Sequence, residues 1–159
     1  MKRFFLSATV TLLLLVIITS IGVAALQHTE ANGNFITTST TIHSETEDKF
    51  NTIIDLSSTI TYTGTLTGTS TLRGTLTVRR DGSASFKGVE TFSGLVDGIP
   101  GTLTFQLEGS SDLYQAIQIN NIITDGTGEL ADFRGRISKA GIIKDNGPVG
   151  TYTGLIRHQ

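Results

Sequence analysis

Glu90 is the residue whose setting most invites chemistry. If residues 83–96 are extended, side chains alternate between faces, and Ala84, Phe86, Gly88, Glu90, Phe92, Gly94 and Val96 share one of them. A carboxylate pointing the same way as two phenylalanines loses its water when that face turns inward. Desolvation would then raise its pKa, as suits a general acid or a hydrogen-bonding anchor for a mostly apolar ligand. In that reading Glu90, Phe86, Phe92, Tyr62 and Arg134 are the candidate residues of a ligand cavity, with the aromatic rings as walls and Glu90 as the polar anchor. The plainer role for Glu90 is an ion pair with an arginine such as Arg73 or Arg134, or a bulge that turns it to solvent. That role is the favoured one, because structural pairs perturb carboxylates just as catalytic sites do.

Other reactive constellations are missing. His28, His43 and His158 are far apart in a chain with no cysteine, so no metal site and no cofactor are expected. There is no Gly-x-Ser-x-Gly elbow for a nucleophilic serine. Glu129 and Asp132 are neighbours on one turn and read as solvated charges, not as a glycosidase pair. Asn120 and Asn121 stand in an otherwise apolar segment and are the remaining candidates for buried polar groups, a role that usually means satisfying backbone at an irregularity.

The elements that must position these residues are strands. Thr, Val, Ile and Phe dominate from Gly33 onward, prolines are limited to Pro100 and Pro148, and glycines recur at turns. The clearest alternation covers 54–68, a run long enough that it should bend at Gly64 or Gly68. A further strand runs from Leu72 to the Asp81-Gly82 turn, and a second Asp-Gly turn at Asp97-Gly98 follows the strand of Glu90. With strands near 34–42, 101–109, 116–124, 135–143 and 149–156, about eight result, a common number for a closed antiparallel barrel. A sandwich is the alternative architecture. Closure is preferred because a long, Thr-rich, low-charge strand left at an open edge would invite aggregation. On the strand that follows Glu90, Leu103, Phe105 and Leu107 oppose Thr102, Thr104, Gln106 and Glu108, and the pattern does not say which set lines the lumen.

One segment interrupts the strands. Gly126 and Gly128 give a tight corner, Leu130 and Phe133 stand three apart as on one helical turn, and Gly135 lets the chain leave in a new direction. A phosphate-gripping glycine loop is argued against by Glu129 and Asp132 beside it and by the lack of Lys, Ser or Thr directly after Gly128. The segment reads as structural: Leu130 and Phe133 brace one end of the barrel, and Arg134 is left to hold a carboxylate.

The chain divides into residues 1–25, a signal peptide or membrane anchor; 26–32, a polar linker; and 33–159, the barrel domain. Lys2 and Arg3 precede an uncharged stretch over 4–25, expected to be a hydrophobic helix. Val23, Ala24 and Ala25 would suit a signal peptidase, while the length would suit a membrane-spanning anchor, and both readings stand. Either one places the domain outside the cytoplasm, secreted or anchored. Without Lys2 and Arg3, 10 of the 12 basic residues face 14 acidic ones, a net charge of −4 that disfavours nucleic acid as a partner.

The stretches Phe86-Lys87-Gly88-Val89-Glu90-Thr91-Phe92-Ser93-Gly94, Gly101-Thr102-Leu103-Thr104-Phe105-Gln106-Leu107-Glu108-Gly109, the segment from Gly126 to Gly135, and Gly150-Thr151-Tyr152-Thr153-Gly154 carry a resemblance. They resemble the uncharacterised domain-of-unknown-function 3224 family, which is similar in turn to the allene oxide cyclase-like barrels that include the dirigent proteins. The resemblance covers about 33–156 and implies an eight-stranded antiparallel barrel with a central cavity, often a homo-oligomer. Members commonly lack a leader such as this one. Three functions follow as expectations: an exported barrel that binds a small, largely apolar ligand, which ranks first; an isomerase or cyclase that acts by confinement in the cavity; and a non-catalytic structural envelope protein.

Overall fold

A computed structural model describes residues 27–112 and 115–158, which form eight strands. They are β1 (Gln27–Glu47), β2 (Asn51–Gly64), β3 (Leu66–Arg79), β4 (Ala84–Val96), β5 (Ile99–Ser111), β6 (Ala116–Gly128), β7 (Phe133–Lys144) and β8 (Gly147–His158). Each pairs antiparallel with the next, and β1 pairs with β8 to close the barrel. The leader at 1–25, including its expected helix, lies outside the described residues.

Alternation sets the inside from the outside. Leu103, Phe105 and Leu107 are buried on β5 while Gln106 and Glu108 are exposed, so on this strand the apolar set lines the lumen and the polar set faces outward. Two sequence expectations need correction. The stretch read as a linker at 26–32 is already strand from Gln27, paired with β8 from Gln27 opposite His158 to Asn32 opposite Thr153. Backbone pairing needs no apolar side chains, which is why this polar segment shows no strand signal beyond the buried Ala31. The run at 54–68 does not bend as one strand; it reverses at Thr65 between β2 and β3, with Gly64 at φ 105°, a backbone region that favours glycine.

The hairpins alternate between the two barrel ends. One end carries Thr65, the Asp97-Gly98 turn and the turn at 129–132. The other carries the turns at 48–50, 80–83 and 145–146, together with the end of β5 and the start of β6. At the first end Leu130 is fully buried, and a Cβ at Gly101 would fall 2.8 Å from its Cγ, so glycine there admits the leucine. The turn that delivers Leu130 is held by Leu130 N–H to Thr127 O (3.3 Å), Ala131 N–H to Gly128 O (3.3 Å) and Phe133 N–H to Leu130 O (3.1 Å). Phe133 is 5% exposed and packs on the His158 ring, with centroids 5.2 Å apart. Below the barrel's middle, Leu66, Phe92, Val96, Leu103, Tyr152 and Ile156 fill the lumen, each no more than 1% exposed. Tyr62 meets Phe92 edge-on at 5.8 Å and Tyr152 at 5.6 Å, the geometry in which aromatic quadrupoles attract.

Candidate functional site

Above this packed half the lumen is open. A cavity of about 300 Å³ reaches the 145–146 turn, with walls that include Phe35, Leu56, Leu72, Phe86, Leu107 and Ile119, and with Glu90 and Lys139 among its lining residues. Phe86 pairs with Leu76 on β3 and Gly109 on β5, and its ring fits against the wall over Gly74, where a Cβ would come within 2.6 Å of its Cζ.

A polar layer drawn from five strands separates the halves. Glu90 on β4 is fully buried. Its Oε1 accepts from the Tyr62 hydroxyl of β2 at 2.5 Å and the Ser70 hydroxyl of β3 at 2.6 Å. Its Oε2 accepts from Lys139 Nζ of β7 at 2.7 Å and Asn121 Nδ2 of β6 at 3.1 Å. A carboxylate has about four lone-pair positions, so every acceptor site of Glu90 is filled. Lys139 is 2% exposed, and its ammonium lies 4.9 Å from the Tyr62 ring centroid and 5.4 Å from that of Phe35, within cation–π range.

These contacts decide the electrostatics. Burial is the largest influence on Glu90 and pushes its pKa up, as the sequence suggests. The Lys139 charge and the bonds from Lys139, Ser70 and Tyr62 outweigh it and hold the carboxyl below the usual 4.5, which corrects the expectation of a raised value. Burial, reinforced by the Glu90 charge, pushes the Tyr62 phenol well above its usual 10.0, so Tyr62 stays protonated as a donor. Glu90 therefore has neither a proton to give at neutral pH nor a lone pair free to take one. Lys139 has three N–H donors and one hydrogen bond among the described residues, and it also lines the cavity.

The remaining sequence candidates take different places. Phe86 lines the cavity, Tyr62 belongs to the polar layer, and Phe92 packs in the filled half beneath. Arg134 lines no cavity with Glu90: its guanidinium donates to the carbonyls of Ala131 and Phe133 at 2.9 and 2.7 Å, because β7 begins at the packed end. Arg73 is exposed on the outer wall, so neither arginine is the partner of Glu90. Of the two asparagines, Asn120 is exposed and accepts from Ser138, whereas Asn121 is 1% exposed. Gly126, Gly128 and Gly135 flank the turn that seats Leu130 and Phe133. Sequence reading missed Lys139 and Ser70, although their alternation was readable: Ile137, Lys139 and Ile143 share a face of β7, and Ser70 lies between Gly68 and Leu72 on that of β3. Among the described residues no three His, Asp or Glu side chains converge as metal ligands would.

The fold and this layer define a class: a closed antiparallel barrel, half packed and half hollow, with a buried ion pair at the boundary. The chain belongs to the DUF3224 family, described as a protein of unknown function, whose profile matches residues 31–152. It is similar in fold to the crystal structure of a DUF3224-family protein of unknown function from Shewanella oneidensis MR-1. The two are 19% identical, with a TM-score of 0.68, over 84% of this chain and 99% of that one. No curated protein matches the sequence.

Proposed function

We propose that the barrel binds a small, largely apolar molecule in its open half, outside the cytoplasm. The observation that carries this reading is the cavity of about 300 Å³, apolar in its walls and floored by a charge pair. That volume is at the lower end of the roughly 300–1,000 Å³ typical of small-molecule sites, and convergent polar groups in an apolar pocket are their usual composition. A purely structural envelope protein would be served by a lumen packed throughout, as only one half is. Cyclisation by confinement lacks a proton-transferring group at Glu90, whose four acceptor positions are taken. Binding without turnover is therefore the preferred activity, and the uncharged leader at 4–25 supports export of the domain, secreted or anchored.

Nile red titrated into the full chain tests the reading, with Leu56→Trp as the control for dye taken up elsewhere. Leu56 lines the cavity and is half-buried, so an indole there fills space without opening the packed half. Saturable fluorescence that the variant loses supports the proposal. Absence of saturable uptake, or uptake that Leu56→Trp leaves unchanged, overturns it.

A further inference from the structure

The cavity has polar residues at both ends, and they are used differently. At the floor they are matched to one another. All four acceptor positions of Glu90 are filled from within the protein. The Lys139 ammonium has Glu90 Oε2 at 2.7 Å and lies over the rings of Phe35 and Tyr62, so its charge is already balanced. A polar head group laid on this floor would give up its water beside a neutral pair and two aromatic rings, which is costly.

At the mouth the situation is reversed. Ser85, Ser110, Ser111, Lys144, Asp145 and Asn146 also line the cavity. They belong to the start of β4, the end of β5, the end of β7 and the 145–146 turn, all at one end of the barrel. Ser110, Lys144, Asp145 and Asn146 are exposed, so a head group among them keeps its water and meets donors, acceptors and both signs of charge. Between mouth and floor the wall is apolar, with Ile54, Leu56, Leu72, Leu76 and Phe86.

The strands also set a length. Floor and mouth are separated on β4 by the five steps from Glu90 to Ser85. At about 3.3 Å per residue and a strand tilt of about 40°, the depth is about 13 Å. An extended chain advances about 1.2 Å per bond, since the three backbone bonds of a residue span about 3.5 Å, so about ten carbons reach from mouth to floor.

Resting on the binding reading above, we infer that the ligand is a single-chain amphiphile, held tail-down on the Glu90–Lys139 floor with its head group in water among the residues of the mouth. The buried ion pair then acts as the stop that measures the tail. The head group contributes little to selection, whether neutral, anionic or cationic.

Competition against Nile red on the unmodified full chain tests the inference. From hexanoate through octanoate to decanoate, displacement should tighten about fourfold per methylene, as burial of each CH₂ predicts. From decanoate to dodecanoate and tetradecanoate the gain should fall below about twofold per methylene, because the added carbons stay in water. Decanol, decanoate and decylamine should agree within about fivefold, whereas 1,10-decanediol, which must carry a second hydroxyl to the floor, should be at least about tenfold weaker than decanol. Equal displacement by decanediol and decanol overturns the tail-down orientation, and an unbroken rise to tetradecanoate overturns the floor as the stop. In either case displacement by decane leaves the binding reading standing. If no compound, decane included, displaces the dye, the binding reading falls instead.

Discussion

The two halves of the barrel are built from the same strands and the same alternation, yet one is solid and the other hollow. In the half that carries the 129–132 turn, Leu66, Phe92, Leu103, Tyr152 and Ile156 meet across the lumen, and Leu130 enters from a turn to close it. In the other half the lining residues include Thr40, Ser58, Ala84 and Gly109, which are too small to fill the lumen. β1 also breaks its register twice there, between Thr37 and Ser39 and between Ile42 and Ser44, and bulges of this kind widen and re-aim a strand. Filling is thus set by side-chain volume at inward positions, while the backbone closure is common to both halves. The polar layer lies at the boundary between the filled and the open half.

The comparison is broken most severely at that layer. Lys139→Met leaves Glu90 buried without its counter-charge, and a loss of about 3–5 kcal/mol in urea unfolding is expected. The companion Glu90→Gln, Lys139→Met pair should recover much of it, since neutralising both partners removes the unpaired charge. Leu130→Ala tests the solid half: it should cost about 2–5 kcal/mol by the same measurement, because it opens a void in packed surroundings. Phe86→Ala tests the hollow half. Its ring is already half-exposed along an open cavity, so its loss should cost under about 2 kcal/mol, and dye binding should weaken more visibly than stability. Lys87→Ala, on the outer wall, removes a pair with Glu108 at 3.2 Å between side chains 73% and 68% exposed, and should change stability by less than about 0.5 kcal/mol.

Acid sharpens the same contrast. The folded pKa of Glu90 is depressed, so its contribution to stability is complete above the usual 4.5 and is lost as pH falls through the lower folded value. Unfolding curves collected from pH 6 downward should therefore show a loss in the unmodified chain that Glu90→Gln lacks. The exposed Asp48, Asp55 and Asp81, whose pKa values are also lowered by local hydrogen bonds, keep their share of the acid slope in both proteins.

How much of this was legible in the sequence follows from what alternation can carry. It locates the inward face of β4 and so puts Glu90 among Phe86 and Phe92, and the Asp-Gly turns mark two hairpins. It does not carry distance across a lumen. Lys139 and Glu90 are 49 residues apart on strands that are not neighbours, and only closure of the barrel brings them together. Arg73 and Arg134 looked equally suitable because charge type is visible in sequence and facing is visible only once register is known. The polar stretch at 26–32 was unreadable for another reason: its strand is held by backbone pairing with β8, which leaves no hydrophobic mark.

The asymmetry itself is tested most directly by the crystal structure of the full chain with Nile red. One molecule is expected in the open half, against Leu72 and Phe86, with the side chains around Leu130 unmoved. Nile red found instead among Leu130, Phe133 and Tyr152, or an open half that holds only water at saturating dye, would contradict the account.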